Sequence, residues 1–412
     1  MIYFDKKMLN SAVSNTGPRV LATLANLLLI PIVLASFEVA EYGIYALYLS
    51  ISTFAMVFTF PRIAYESKVG IARGEDEAFV ACLLDRFSVS LPTLAAPLLL
   101  VFLDNTISFG VDVTLFLVVF YGTILPTILF QAISNYLLAK EEFFSSSALE
   151  LFRAVGAGGI SAAVAYGTKD LWLFAAVKGA VDFFSLGLLV SLVSFRRRLF
   201  EVYRFRGYHK SIRNYGLRMV VSDASATMRA QSTLWFIAAF VGPEGVTLFH
   251  VAFSSMFQRV NNHALSLINL VYSRVARGLQ GGQRTDSWRI VVTMLLVGSA
   301  LALLAVGLGV SYVTWLLPEA FSQVTSLFII LVISLPFNLA SNLAVLKLVV
   351  DLDAPALTAM TLVAALVQLL LSFAFVSQGG LVGACFAVTV GSIAQLAISL
   401  LILRWRRTSC DG

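Results

Sequence analysis

Long apolar runs, each about the length of one bilayer crossing and separated by short polar connections, follow one another from about residue 17 to residue 403. A helix needs about 20 residues at 1.5 Å rise to cross about 30 Å of hydrocarbon. We read twelve such spans, over about 17–36, 43–60, 80–103, 113–138, 147–166, 170–195, 216–241, 246–271, 290–316, 324–349, 355–376 and 380–403. Hydrophobic residues make up 59% of the 412 positions and charged residues 13%, with mean hydropathy +0.87. In soluble domains about a quarter of residues are charged. The chain is therefore expected to be an all-α polytopic membrane protein, and the connections leave no room for an extramembrane domain.

The charges between the spans alternate. Odd-numbered connections hold Glu38 and Glu41, Asp104 and Asp112, Lys169 with Asp170, Glu244, Glu319, and Gln378-Gly379-Gly380; Lys169 is their single basic residue. Even-numbered connections hold Arg62, Lys68 and Arg73, then Lys140, then a run from Arg196 to Arg213, then Arg274, Arg277 and Arg284. Lys6 and Lys7 precede the first span, and Arg404, Arg406 and Arg407 follow the last. By the positive-inside rule both termini and every even connection are expected on the cytoplasmic side. This sidedness accounts for the net charge of +6 more simply than nucleic acid does. Near Lys6 and Lys7 no short apolar core with a small-residue cleavage site stands apart from the first span, so no removable signal peptide is expected.

The longest and most basic connection divides the spans six and six. The first span opens on Asn15-Thr16-Gly17-Pro18-Arg19 and the seventh on Asn214-Tyr215-Gly216-Leu217-Arg218. Asn135 and Lys140 at the end of span four are matched in spacing by Asn342 and Lys347 at the end of span ten. These matches favour a duplicated six-helix unit: a lobe over 1–195, a basic connecting loop over 196–213 and a second lobe over 214–412. Two repeats of even helix number share one orientation, and transporters built this way bind between halves that rock against each other. Gly156, Gly158 and Gly159 in span five, with Gly307 and Gly309 in span nine, suit close helix packing.

Arg229 and Arg259 lie near the midpoints of spans seven and eight. A central arginine costs about 2.5–3.5 kcal/mol on insertion scales, so it faces a bundle interior or a water-filled path. Ser222, Ser225, Arg229 and Ser232 recur at three or four residues and share one face. Ser255, Arg259, Asn262, Ser266 and Asn269 form a longer stripe, with His263 beside it. Pairing with buried carboxylates is the structural alternative; a cationic chamber for something negative is the functional reading. Weaker stripes, Arg19, Thr23 and Asn26 in span one, Thr127, Gln131 and Ser134 in span four, and Ser334, Asn338 and Ser341 in span ten, serve equally for hydrogen bonding between helices. Lys178 and Asp182 are four residues apart, so a mutual salt bridge is the default. The alternative makes Asp182 an ion-coupling site with Lys178 facing the chamber. Asp223 is the other embedded acid, and Arg218 is its nearest expected partner.

No nucleophile, metal cluster or phosphate-cradling glycine loop stands out, and Cys82, Cys385 and Cys410 lack metal-ligand spacing. The chain is not expected to be an enzyme or to carry a cofactor. Energy would come from a proton or sodium gradient, or from the substrate gradient itself.

The segment Glu41-Tyr42-Gly43-Ile44-Tyr45-Ala46-Leu47, the Asn135-to-Phe144 end of span four and the passage through Gly242-Pro243-Glu244-Gly245 resemble the lipid-linked oligosaccharide flippases. These export O-antigen, capsule or exopolysaccharide units in bacteria, within the superfamily that includes the multidrug and toxic compound extruders. Arg218 stands where many relatives have proline. The resemblance implies about twelve transmembrane helices in two six-helix lobes around a cationic cavity, in the bacterial inner membrane. It implies an undecaprenyl-diphosphate-linked oligosaccharide as cargo, moved from the cytoplasmic leaflet to the outer one, with a polysaccharide polymerase and glycosyltransferases as partners and no nucleic acid. On this reading Arg229, Arg259, Asn262, His263, Lys178, Arg19 and Asn26 meet the substrate, and Asp182 and Asp223 are candidates for ion coupling. A multidrug extruder of the same fold is the nearest rival, although cationic drugs call for acidic and aromatic cavity walls. A membrane-embedded glycan polymerase or ligase would need a larger outer loop with clustered acids or histidines.

Overall fold

The computed structural model describes residues 6–61, 63, 71, 78–104, 112–196, 208–265, 287–350 and 354–410. Among these residues the chain forms twelve helical rods. They are α1 (Lys6–Ser36), α2 (Val39–Ala55, ending in a tight turn over Met56–Thr59), α3 (Ala78–Asp104) and α4 (Val113–Ala139). Then come α5 (Phe143–Arg153, continuing to Thr168), α6 (Leu171–Arg196), α7 (Tyr208–Phe240) and α8, which starts at Pro243. The last four are α9 (Ser287–Leu316), α10 (Val324–Val332 and Leu335–Val350, bent by 41° between them), and α11 and α12. The last two form one run, Ala354–Cys410, broken at Gly380.

Local chemistry sets the ends. Asp112 accepts a hydrogen bond from the Leu115 N–H at 2.9 Å, capping α4. Pro243 opens α8, where a missing N–H costs nothing. Gly380, at φ 54 and ψ −131, supplies a backbone conformation that side chains resist, so the apolar run turns back on itself there. Seven of the runs are long and apolar enough to cross a membrane by themselves, one of them the 48-residue stretch Pro355–Ile402 that holds both α11 and α12. The chain is a multi-pass membrane protein. Most of the basic run Arg196–Arg213, and Arg62, Lys68, Arg73, Arg274, Arg277 and Arg284, lie outside the described residues, as do Ser266 and Asn269.

Two compact units emerge. The first comprises Met1–Glu38 and Tyr48–Val220, the second Val39–Leu47 and Val221–Gly412. In the first, α4 packs along α6 and α1 along α5. The α4–α6 crossing is glycine on glycine: a Cβ on Gly179 would lie 2.6 Å from the Gly122 Cα. Farther along the same helices, Leu129, Ile133, Tyr136 and Leu186 form a hydrophobic core with Phe79 and Leu149. In the second unit α10 packs against α9 and α12. Gly298 receives Pro336, whose Cα would be 2.5 Å from an added Cβ, and Gly309 receives the Phe328 ring. Of the five glycines singled out by sequence, Gly309 makes the closest approach; Gly159 and Gly307 have nothing near an added Cβ.

Candidate functional site

Arg229 lies on the face of α7 that packs against α11 and α12 within the second unit. Its Nη1 donates to Gln395 Oε1 on α12. The surrounding seam is polar throughout: Thr361 Oγ1 donates to Ser222 Oγ at 3.2 Å, and the Thr233 and Ser372 hydroxyls lie 2.8 Å apart. Gln368 Nε2 donates to both, at 3.1 Å each. Gly391 makes room for the Gln368 amide, since a Cβ there would sit 1.8 Å from Oε1. Ser222, Ser225, Ser232, Thr233, Gln368, Ser372 and Gln395 are all buried. Of the α7 serine stripe, Ser222 bonds to a neighbouring helix, Ser225 donates to the Val221 carbonyl of its own helix and Ser232 Oγ is buried without a bond, while Arg229 brings charge to the seam. Among the described residues Arg229 has no carboxylate partner, and none of its nitrogens is both buried and unbonded. One corner of the guanidinium is therefore pinned, and the nitrogens of its other edge are unbonded without being sealed off.

Arg259 lies just beyond a π-helical stretch of α8, Val251–Phe257, which shifts the register of the residues that follow. Its Nε is buried with no hydrogen bond, and the phenols of Tyr42 and Tyr312 are its electrostatic neighbours. Tyr42 also stands edge-on to His250, with ring centroids 5.8 Å apart. Beyond Arg259, Asn262 is exposed and His263 half-buried. Asp223 is half-buried; the side chain of Arg218, its expected partner, lies outside the description.

The remaining sequence candidates belong to the first unit. Arg19 on α1 forms an ion pair with Glu150 on α5 at 3.2 Å. Asn26 donates to the Ala22 carbonyl of its own helix at 2.9 Å. Lys178 is half-buried on α6. The partner of Asp182 is Arg153, which sequence reasoning overlooked: Nε and Nη2 donate to the two carboxylate oxygens at 2.9 and 2.5 Å. Arg153 also lies over the Phe130 ring, 4.6 Å from its centre. The signal was available, since an arginine within one span and an acid within the next make a natural pair. A second overlooked cation, Arg86 in α3, is fully buried and donates to Thr59 O and Oγ1 at 2.9 and 3.1 Å. It satisfies the carbonyl at the end of α2, where Phe60 turns left-handed. Of the weaker stripes, Ser134 on α4 shares a hydrogen bond of 3.0 Å with Ser146 on α5, the bonding between helices that was the structural alternative, whereas Ser334, Asn338 and Ser341 bond within α10.

No family model and no curated protein sequence matches the chain. Solved structures do. An outward-facing multidrug resistance MATE family transporter of the MOP superfamily superposes with TM-score 0.64 at 14% identity, over 97% of this chain and 96% of its own. The lipid II flippase MurJ, in an inward closed conformation, gives 0.67 at 13%, over 96% and 87%. A MOP superfamily transporter from Pyrococcus furiosus, described as having a binding pocket of reverse polarity that suggests a different function, gives 0.63 at 15%, over 98% and 96%. This chain therefore has the fold of the MATE-type transporters, about twelve transmembrane helices in two six-helix lobes.

Proposed function

We propose that this chain is a transporter for an anionic amphiphile, an undecaprenyl-diphosphate-linked oligosaccharide, flipped from the cytoplasmic to the outer leaflet of the bacterial inner membrane by alternating access. The observation that carries this reading is the pair of intramembrane arginines. Arg229 and Arg259 have no carboxylate partner among the described residues, whereas Arg19 and Arg153 do. An arginine kept in the hydrocarbon zone without a counter-ion is expensive and marks a substrate path. Its fork suits phosphate oxygens. Support from the fold comes equally from a lipid flippase and from multidrug transporters. The Pyrococcus protein supports treating pocket polarity as what separates functions on this fold.

The test is transfer of a defined lipid-linked oligosaccharide into reconstituted vesicles, with and without proton and sodium gradients. Arg229→Ala and Arg259→Ala each slow transfer at least about tenfold, as expected for losing a charged hydrogen bond of about 1.5–3 kcal/mol, with protein level unchanged. Normal transfer by both variants would sink the proposal. The extruder reading of the same fold predicts the reverse selectivity: export of cationic dyes, improved by removing the arginines. Ion dependence of transfer, if found, is assigned to Asp182 or Asp223 by repeating it with the asparagine variants.

A further inference from the structure

We infer that Gln395 is a positioning residue that keeps Arg229 oriented while leaving its positive charge uncompensated, so that the guanidinium can take a phosphate-type anion; this rests on the transport reading above. Three observations meet here. First, the partner is neutral. An amide oxygen accepts from Arg229 Nη1 and restricts the side chain, but leaves its full charge uncompensated. The first unit shows the contrasting arrangement: the Asp182 carboxylate accepts from Nε and Nη2 of Arg153 and compensates the charge. Second, the guanidinium is only half used. Gln395 is its single partner among the described residues, and no other nitrogen of Arg229 is completely buried without a bond, so N–H groups remain that a ligand could fill. A planar fork with one corner fixed presents its remaining N–H groups in a set direction, the geometry that two anionic oxygens require.

Third, Gln395 is buried, and the seam beside it is built from the Thr233, Ser372 and Gln368 cluster, whose members bond to one another and are all neutral. These amides and hydroxyls satisfy one another without introducing a negative charge beside the arginine. Substituting the isosteric carboxylate at 395 would give a better bond to Arg229 and a worse receptor.

The experiment uses the full-length protein in detergent, with undecaprenyl diphosphate as the probe for equilibrium binding and thermal unfolding as the second readout. Gln395→Glu is expected to hold or raise the unfolding temperature while weakening probe binding at least about tenfold, the size of a charged hydrogen bond. Gln395→Ala, which removes the pin but adds no charge, is expected to weaken binding several-fold and decides the matter if the Glu variant does not fold. A structural role alone would move stability and leave probe affinity in place. Should Arg229→Ala lose binding while Gln395→Glu and Gln395→Ala both bind within about twofold of wild type, the positioning role is overturned and the arginine's role stands. Should Arg229→Ala itself bind normally, this inference falls; the transport reading falls with it only if Arg259→Ala is normal as well.

Discussion

Arg153 meets a carboxylate and Arg229 meets an amide, and the charge left over at the second is what the proposed chemistry uses. The first pair should behave as a buried ion pair does. Asp182 is 9% exposed at its side chain and Arg153 25%, so little solvent screens them. Removing one partner strands a charge, at about 3–5 kcal/mol, while removing both together is far milder. Asp182→Asn is thus expected to lower the thermal unfolding temperature markedly, and adding Arg153→Met to it to recover most of the loss. A double-mutant cycle in one detergent checks this; additive losses would mean that the pair is not coupled. Sequence could flag Asp182, Arg229 and Arg259 because charges in apolar runs are conspicuous. It could not assign partners, since the i, i+4 spacing of Lys178 and Asp182 is visible in the chain, whereas Arg153 reaches Asp182 only once α5 packs on α6. Gln395 carried no signal at all, being a neutral residue on the last helix.

At the level of elements, the first turns of α2 dock on the start of α8 inside the second unit. A Cβ on Gly43 would fall 1.9 Å from the Pro243 carbonyl oxygen and 2.9 Å from Thr247 Oγ1, and that hydroxyl donates to the Val39 carbonyl. The two segments, Glu41–Leu47 and Gly242–Gly245, are two of the three that carry the sequence resemblance, and their shared feature is now physical: backbone meets backbone where only glycine fits. Gly43→Ala must push the helices apart and is expected to cost about 1–3 kcal/mol, as overpacking does. Gly187→Ala is the control. Nothing lies within 4 Å of an added Cβ there, and replacing a helical glycine stabilises by up to about 1 kcal/mol. Thermal unfolding of the two variants side by side should move in opposite directions; equal shifts would show that the α2–α8 contact is looser than described. Both residues look alike in the sequence, since a glycine inside an apolar run gives no sign of whether a neighbour approaches it.

For the whole molecule, parity turns the order of the rods into a prediction about sides of the membrane. Each crossing reverses sidedness, so the connection after α4 must lie opposite those after α5, α7 and α11. The helix order was legible because hydrocarbon thickness fixes span length and Gly380 marks the one turn hidden inside an unbroken apolar run. The split of α2 between two compact units was not legible, because it depends on which neighbour a helix packs against. Glu141, Asp170, Glu244 and Gln378 are exposed and sit in or directly beside those four connections. Cys82 and Cys385 are buried, so replacing Cys410 gives a background with little reactive thiol. In that background single cysteines at 170, 244 and 378 should be labelled by a membrane-impermeant maleimide applied to intact cells, and a cysteine at 141 only after the membrane is opened. The arginine and lysine bias of the even connections sets which side is which. Labelling of 141 together with 378 would break the parity and with it the twelve-span arrangement, whereas exchange of all four sides would keep the fold and invert the direction of transport.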